Sequence, residues 1–173
     1  MPQSIFLVGL MGAGKTTVGR LLAKRLQTRF VDSDHEVAAV TGVNIPTIFD
    51  IEGEAGFRRR ESETIQRLCQ EDNIVMATGG GAVLDPDIRQ CLRNRGTVVY
   101  LSASPETLYE RTRRDAGRPL LQVKDRLSRL RELHQQRDPL YHEVAHLVVE
   151  VGRTSAPHVV RQILAALASD AHA

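Results

Sequence analysis

Near the start of the chain, Gly9-Leu10-Met11-Gly12-Ala13-Gly14-Lys15-Thr16 fits G-x-x-x-x-G-K-[ST]. Glycines at 9, 12 and 14 let the backbone turn tightly around an anion. Amide N–H groups and the positive end of a following helix then cradle the β- and γ-phosphates of a nucleotide. Lys15 adds a point charge there. Thr16 offers a hydroxyl to Mg²⁺, which bridges such phosphates as a γ-phosphoryl group is transferred. Gly12, Ala13, Gly14, Lys15, Thr16 and Thr17 are therefore the candidate ATP-binding residues of this loop. A glycine-rich turn without a ligand is the plainer alternative, and the apolar run before the loop and the helical pattern after it count against that.

Three further groups of residues could do chemistry. Val31-Asp32-Ser33-Asp34 closes a short apolar run, and ligands of open α/β sheets sit at the carboxyl ends of strands. Asp32 could hold Mg²⁺ through water, while Asp34 could accept or orient the proton of an attacking hydroxyl; a helix-capping acid is the alternative for Asp34. Gly79-Gly80-Gly81 marks either a close approach of backbone to a ligand or a tight turn. His142-Glu143-Val144-Ala145-His146 spells H-E-x-x-H, the zinc-protease pattern. That chemistry needs a helix carrying both histidines and a third ligand. Here Pro139 is expected to open the segment and Leu147-Val148-Val149 to close it as a strand, so the histidines are read as solvated residues on a short helix.

The elements that must position these groups alternate along the chain. Strands are expected at Ile5 to Val8, Phe30-Val31, Ile74 to Ala77, Val98 to Leu101 and Leu147 to Val151. Helical patterns run over Lys15 to Leu26, Asp34 to Val40, Pro46 to Ile51 and Glu54 to Gln70, with more from Pro86, from Ser104-Pro105-Glu106, around Leu127, Leu130 and Leu133, and over Val159 to Leu167. Such alternation predicts a parallel sheet covered on both faces. Arg113 to Lys124 reads as an exposed loop.

A length of 173 residues suits one domain. With a net charge of +2, a polyanionic partner is not expected, which argues against nucleic acid. Of 23 basic residues only Lys15, Lys24 and Lys124 are lysine, and arginine suits bidentate capture of carboxylate and phosphate. Cys69 and Cys91 form no CxxC pair, so neither a zinc ribbon nor a redox motif is indicated. The N-terminal residues lack the basic start and long apolar stretch of a signal peptide, and no apolar run reaches membrane-spanning length. These features predict a soluble, cytoplasmic monomer.

In order, the chain carries G-L-M-G-A-G-K-T-T, D-S-D, F-R-R-R-E, G-G-G-A-V, R-P-L-L and R-D-P-L-Y. The set resembles the motifs of shikimate kinases over almost the whole chain. The resemblance implies an α/β, three-layer P-loop fold: a five-stranded parallel sheet with helices on both faces, in a single kinase domain over residues 1–173. It also implies a substrate-binding segment at about 33–61 and a lid at about 112–124. The implied reaction transfers the γ-phosphoryl group of ATP, with one Mg²⁺ ion, to the 3-hydroxyl of shikimate. Shikimate 3-phosphate and ADP are the products, on the chorismate route to aromatic amino acids. By the same likeness Asp34 would hydrogen-bond the acceptor hydroxyls, Arg58 and Arg137 would clamp its carboxylate, and the backbone at Gly79, Gly80 and Gly81 would contact its ring. Arg118 would close with the lid and offset developing phosphoryl charge, completing a catalytic set with Lys15 and Asp34. Arg111 resembles the residue stacked on adenine, and Arg153 falls in the loop lining the other side of the base. A gluconate or nucleoside monophosphate kinase of the same fold would share the loop but need other acceptor contacts, and a zinc hydrolase built on His142 and His146 is the alternative outside the class.

Overall fold

Continuous apolar runs form central strands, because a parallel sheet covered on both faces leaves no solvated side. A computed structural model of the chain describes residues 3–113 and 125–171. In it β1 (Ser4–Val8) and β3 (Ile74–Ala77) are buried at every position, and β4 (Gly96–Ser102) nearly so. The edges are β2 (Arg29–Asp32) and β5 (Leu147–Glu150), which are more exposed. The strand order is β2-β3-β1-β4-β5, and every pairing is parallel.

Helix α1 (Lys15–Leu26) follows β1 and packs against α7 (Ala156–Asp170). The other packed group runs from α3 (Ile45–Leu68) to α4 (Pro86–Arg95), and from α4 to α6 (Arg126–Val144), which meets α5 (Pro105–Thr112). Helix α2 (Ser33–Thr41) follows β2 and packs on α3. Starts are set by side-chain oxygens that satisfy otherwise orphaned N–H groups: Asp32 for α2, Asn44 for α3, Asp85 for α4, Ser104 for α5 and Ser155 for α7.

The main core unites both sheet faces, while Val37, Ile48 and Phe57, flanked by Ile45 and Phe49, form a separate small core between α2 and α3. The expected break between the helical segments 46–51 and 54–70 falls at Gly53, whose φ of 72° interrupts α3. One expectation fails outright. Pro139 opens no helix; it lies inside α6, whose 19 residues run without a break to Val144. Residues 114–124, and with them Arg118 and most of the expected lid, lie outside the described residues.

Candidate active site

Gly12 and Gly14 hold φ of 87° and 96°, a region open to glycine and strained for other residues. A Cβ at Gly12 would also lie 2.6 Å from Thr112 Cγ2. The loop thus turns at the carboxyl end of β1 and delivers Gly14 as the cap of α1. Within it Lys15 Nζ donates to the carbonyls of Gly9, at 2.6 Å, and Leu10, at 3.0 Å. Thr16 Oγ1 donates to Asp32 Oδ2 at 2.8 Å, so the candidate metal residues from β1–α1 and β2–α2 meet directly. The other oxygen of Asp32 accepts the N–H groups of Asp34 and His35, which fixes its orientation. Two hard oxygen ligands, brought together from the carboxyl ends of β1 and β2 across the intervening β3, fit a Mg²⁺ ion that takes its remaining ligands from water and phosphate.

These groups open on a cleft of about 660 Å³, also lined by Asp34, Arg58, Gly79, Gly80, Gly81 and Arg137. Arg137, on α6, is only 2% exposed, and its Nε and one terminal nitrogen have no hydrogen-bond partner; Arg58 Nε, on α3, is likewise buried and unpartnered. Donors left so in a dry wall mark a place for an anion. Burial lowers the pKa of Arg137, yet a guanidinium stays charged. Arg58 stacks so closely on Gly81 that a Cβ there would overlap its guanidinium. The triple glycine is therefore the floor against which these side chains lie.

Glu61 was not foreseen from the sequence, although its place three residues after Arg58 on a helix is a signal for a pair. It is 1% exposed, and its Oε1 accepts from Arg58 at 2.8 Å. Burial, reinforced by the charge of Asp34 and opposed by Arg58, pushes its pKa up to about 7. Two more positioning groups escaped notice. Ser33 Oγ accepts the N–H of Gly79 at 3.0 Å, and the Tyr141 hydroxyl, one turn beyond Arg137, donates to the Gly80 carbonyl. Phe49 and Phe57 supply an apolar wall, with ring centroids 5.0 Å apart.

On the nucleotide side Arg111 donates to the carbonyls of Gly12, Ala13, Val151 and Gly152, tying the loop to the segment after β5. All four bonds use the guanidinium edge, which leaves its faces for stacking. Arg153 is exposed immediately beyond, on that segment, and Thr17 is exposed at the cleft.

The zinc reading does not assemble: both histidines are exposed, as expected, and His142 is a helix residue, but His146 is not. His142 Nε2 lies 3.4 Å from Asp138. His146 lies beyond the end of α6, and its Nδ1 accepts the N–H of Val98 at 3.0 Å. Among the described residues no group of three or more His, Cys, Asp or Glu is placed to hold a metal. No helix among them is long and apolar enough to cross a membrane.

The family model described as shikimate kinase matches residues 11–168. Relatives named shikimate kinase from Dechloromonas aromatica and Aromatoleum aromaticum are 60% and 58% identical, covering 94% and 92% of this chain and 88% and 91% of theirs. Among solved structures, a shikimate kinase from Acinetobacter baumannii in complex with shikimate aligns with a TM-score of 0.96 at 48% identity, over 97% of this chain and 94% of that one. The shikimate kinase of Aquifex aeolicus aligns at 0.87 and 36% identity over 98% of each chain. A gluconokinase from Sinorhizobium meliloti, at 0.62 and 21% identity over 99% of this chain and 94% of its own, shares the fold alone.

Proposed function

The chain belongs to the shikimate kinase family, and from that premise we infer that it transfers the γ-phosphoryl group of ATP to the 3-hydroxyl of shikimate, giving shikimate 3-phosphate and ADP. The observation that carries the acceptor assignment is the pair of guanidiniums, Arg137 buried and Arg58 partly so, with unpartnered buried donors in the cleft that also holds the phosphate loop. A carboxylate fits such forks, and the apolar wall of Phe49 and Phe57 suits one face of a ring.

In this proposal residues 33–61 form the acceptor-binding segment of a single domain. Arg58 and Arg137 hold the carboxylate, the backbone from Gly79 to Gly81 faces the ring, and Asp34 orients the attacking hydroxyl and accepts its proton. The amides from Gly12 to Thr17 and the Lys15 ammonium take the phosphates, and the α1 N-terminus adds its positive end. Thr16 and Asp32 would hold Mg²⁺, which when bound offsets phosphate charge. Arg111 and Arg153 flank the adenine. Arg118, outside the described residues, joins the site through its sequence context ahead of Pro119-Leu120-Leu121, as a cation for the transferring group within a lid at 112–124. Positioning and charge offset supply most of the rate enhancement. A cytoplasmic monomer suits the size and composition.

Incubating the protein with Mg²⁺ and γ-labelled ATP beside shikimate, gluconate or AMP tests the assignment. Label is expected on shikimate, and label on gluconate or AMP alone would refute it.

A further inference from the structure

The acceptor side of the cleft holds two guanidiniums, Arg58 and Arg137, and two carboxyl groups, Asp34 and Glu61. With both carboxyls ionised these four charges cancel. Shikimate brings one more negative charge into this wall, where uncompensated charge is costly. One of the four groups must change protonation for the balance to hold, and the guanidiniums cannot do so in this direction.

Geometry singles out Glu61. Its Oε1 is bonded to Arg58, whereas its Oε2 is buried without a partner. Oε2 lies 2.5 Å and Asp34 Oδ1 2.6 Å from the point where a Cβ on Gly79 would stand, so the two oxygens lie within about 5 Å of each other. A proton on Glu61 would remove the repulsion across that gap. Arg58, which now serves Glu61, would also have to serve the acceptor carboxylate, and sharing its charge raises the proton affinity of Glu61 further. Glu61 stands in the wall between two cavities. One is the acceptor cleft; the other, of about 440 Å³, is lined by Glu54, Asp85 and Ile88 and offers a route for a proton when the first is filled.

We propose that Glu61 takes up one proton from solvent as the carboxylated acceptor binds, so that this side chain keeps the pocket in charge balance and makes acceptor affinity depend on pH. The groups facing it are Arg58 and Glu54 on its own helix, Asp34 on α2, Arg137 and Tyr141 on α6, and Asp85 at the start of α4. Arg58 and Arg137 favour the ionised form, while Asp34 and the burial favour the protonated one. In the empty pocket the balance lies at about 7, so near neutrality a small change in its partners moves the proton.

The inference rests on shikimate being the acceptor, and calorimetry separates the two claims. Titrations of shikimate into the protein in phosphate and in Tris, buffers of different ionisation enthalpy, count protons at each pH. Uptake is expected to approach one proton at about pH 8 and to fall to a small fraction at about pH 6, with Kd weakening roughly five-fold from about pH 7 to about pH 8. Glu61→Gln keeps an oxygen for Arg58 but cannot titrate, so its binding should show neither uptake nor that slope. In the unaltered protein, the uncharged methyl ester of shikimate should bind without proton uptake, a comparison that does not depend on the variant folding. Binding with no uptake in the unaltered protein, or with equal uptake in Glu61→Gln, overturns the proposal and leaves shikimate as the acceptor. No binding of shikimate at any pH overturns the acceptor assignment itself.

Discussion

A guanidinium at 2% exposure with two unpartnered nitrogens raises the free energy of the empty protein, and a bound carboxylate offsets that cost. Arg137 reaches this state because α6 carries it under the triple glycine while Tyr141, one turn on, holds the Gly80 carbonyl. Lysine at this position would keep a charge but lose the planar fork. Arg137→Lys is therefore expected to raise the KM for shikimate about 10- to 100-fold, the loss of one or so charge-assisted hydrogen bonds, while leaving the KM for ATP within about two-fold. Initial rates with each substrate varied at saturation of the other provide the check. A parallel rise in both constants would mean that Arg137 supports the fold of the cleft rather than the acceptor.

The join between α6 and β5 shows how an element's end is set by a side chain. His146 continues the ladder twice over: its N–H donates to the Val98 carbonyl at 2.8 Å, and its Nδ1 accepts the Val98 N–H. Partial burial and the charge of Arg93 lower its pKa, and a proton on Nδ1 would set a donor against the Val98 N–H. A histidine with a depressed pKa adds stability above its ordinary pKa, and the contribution is lost as pH falls through the folded value. His146→Ala should cost about 1 kcal/mol near neutral pH and less in acid, measured by urea unfolding at both. An equal cost at the two pH values would remove the hydrogen bond as the cause. This element also marks a limit of sequence reading. The apolar runs of β1, β3 and β4 and the glycine-lysine loop are local signals and were legible, as were Asp32, Asp34, Arg58 and Arg137 through their motifs. The spacing of His142 and His146 was equally visible, but whether α6 stops at Val144 depends on the sheet edge, a contact with Val98 that lies far away in sequence. Ser33 and Tyr141 were hidden for the same reason, because their partners Gly79 and Gly80 come from other elements; the pairing of Glu61 with Arg58 is local, but its burial beside Asp34 depends on another element.

For the molecule as a whole, the pocket's charge set lowers stability, and the pH at which it does so can be stated. Glu61 is ionised in the unfolded chain above its ordinary pKa of 4.5 but holds its proton in the folded protein up to about 7. A raised folded pKa adds stability that is fully present below the ordinary value and lost as pH climbs to the folded one. The loss over that window is on the order of 3 kcal/mol, a large share of the 5–15 kcal/mol typical of a domain. The sign is opposite to that of His146, so the two effects pull the stability maximum from both sides. Glutamine at 61 has no ionised form to favour unfolding. Glu61→Gln should therefore match the unaltered protein near pH 4 and become the more stable of the two as pH rises, with a gap of roughly 3 kcal/mol above about pH 7.5. Urea unfolding of both proteins across this range measures the gap directly, and effects common to both, such as His146, cancel in the difference. A constant gap would show that Glu61 does not hold its proton in the folded state. A growing gap, found together with the loss of proton uptake in calorimetry, would mean that the same buried carboxyl destabilises the fold and serves the acceptor.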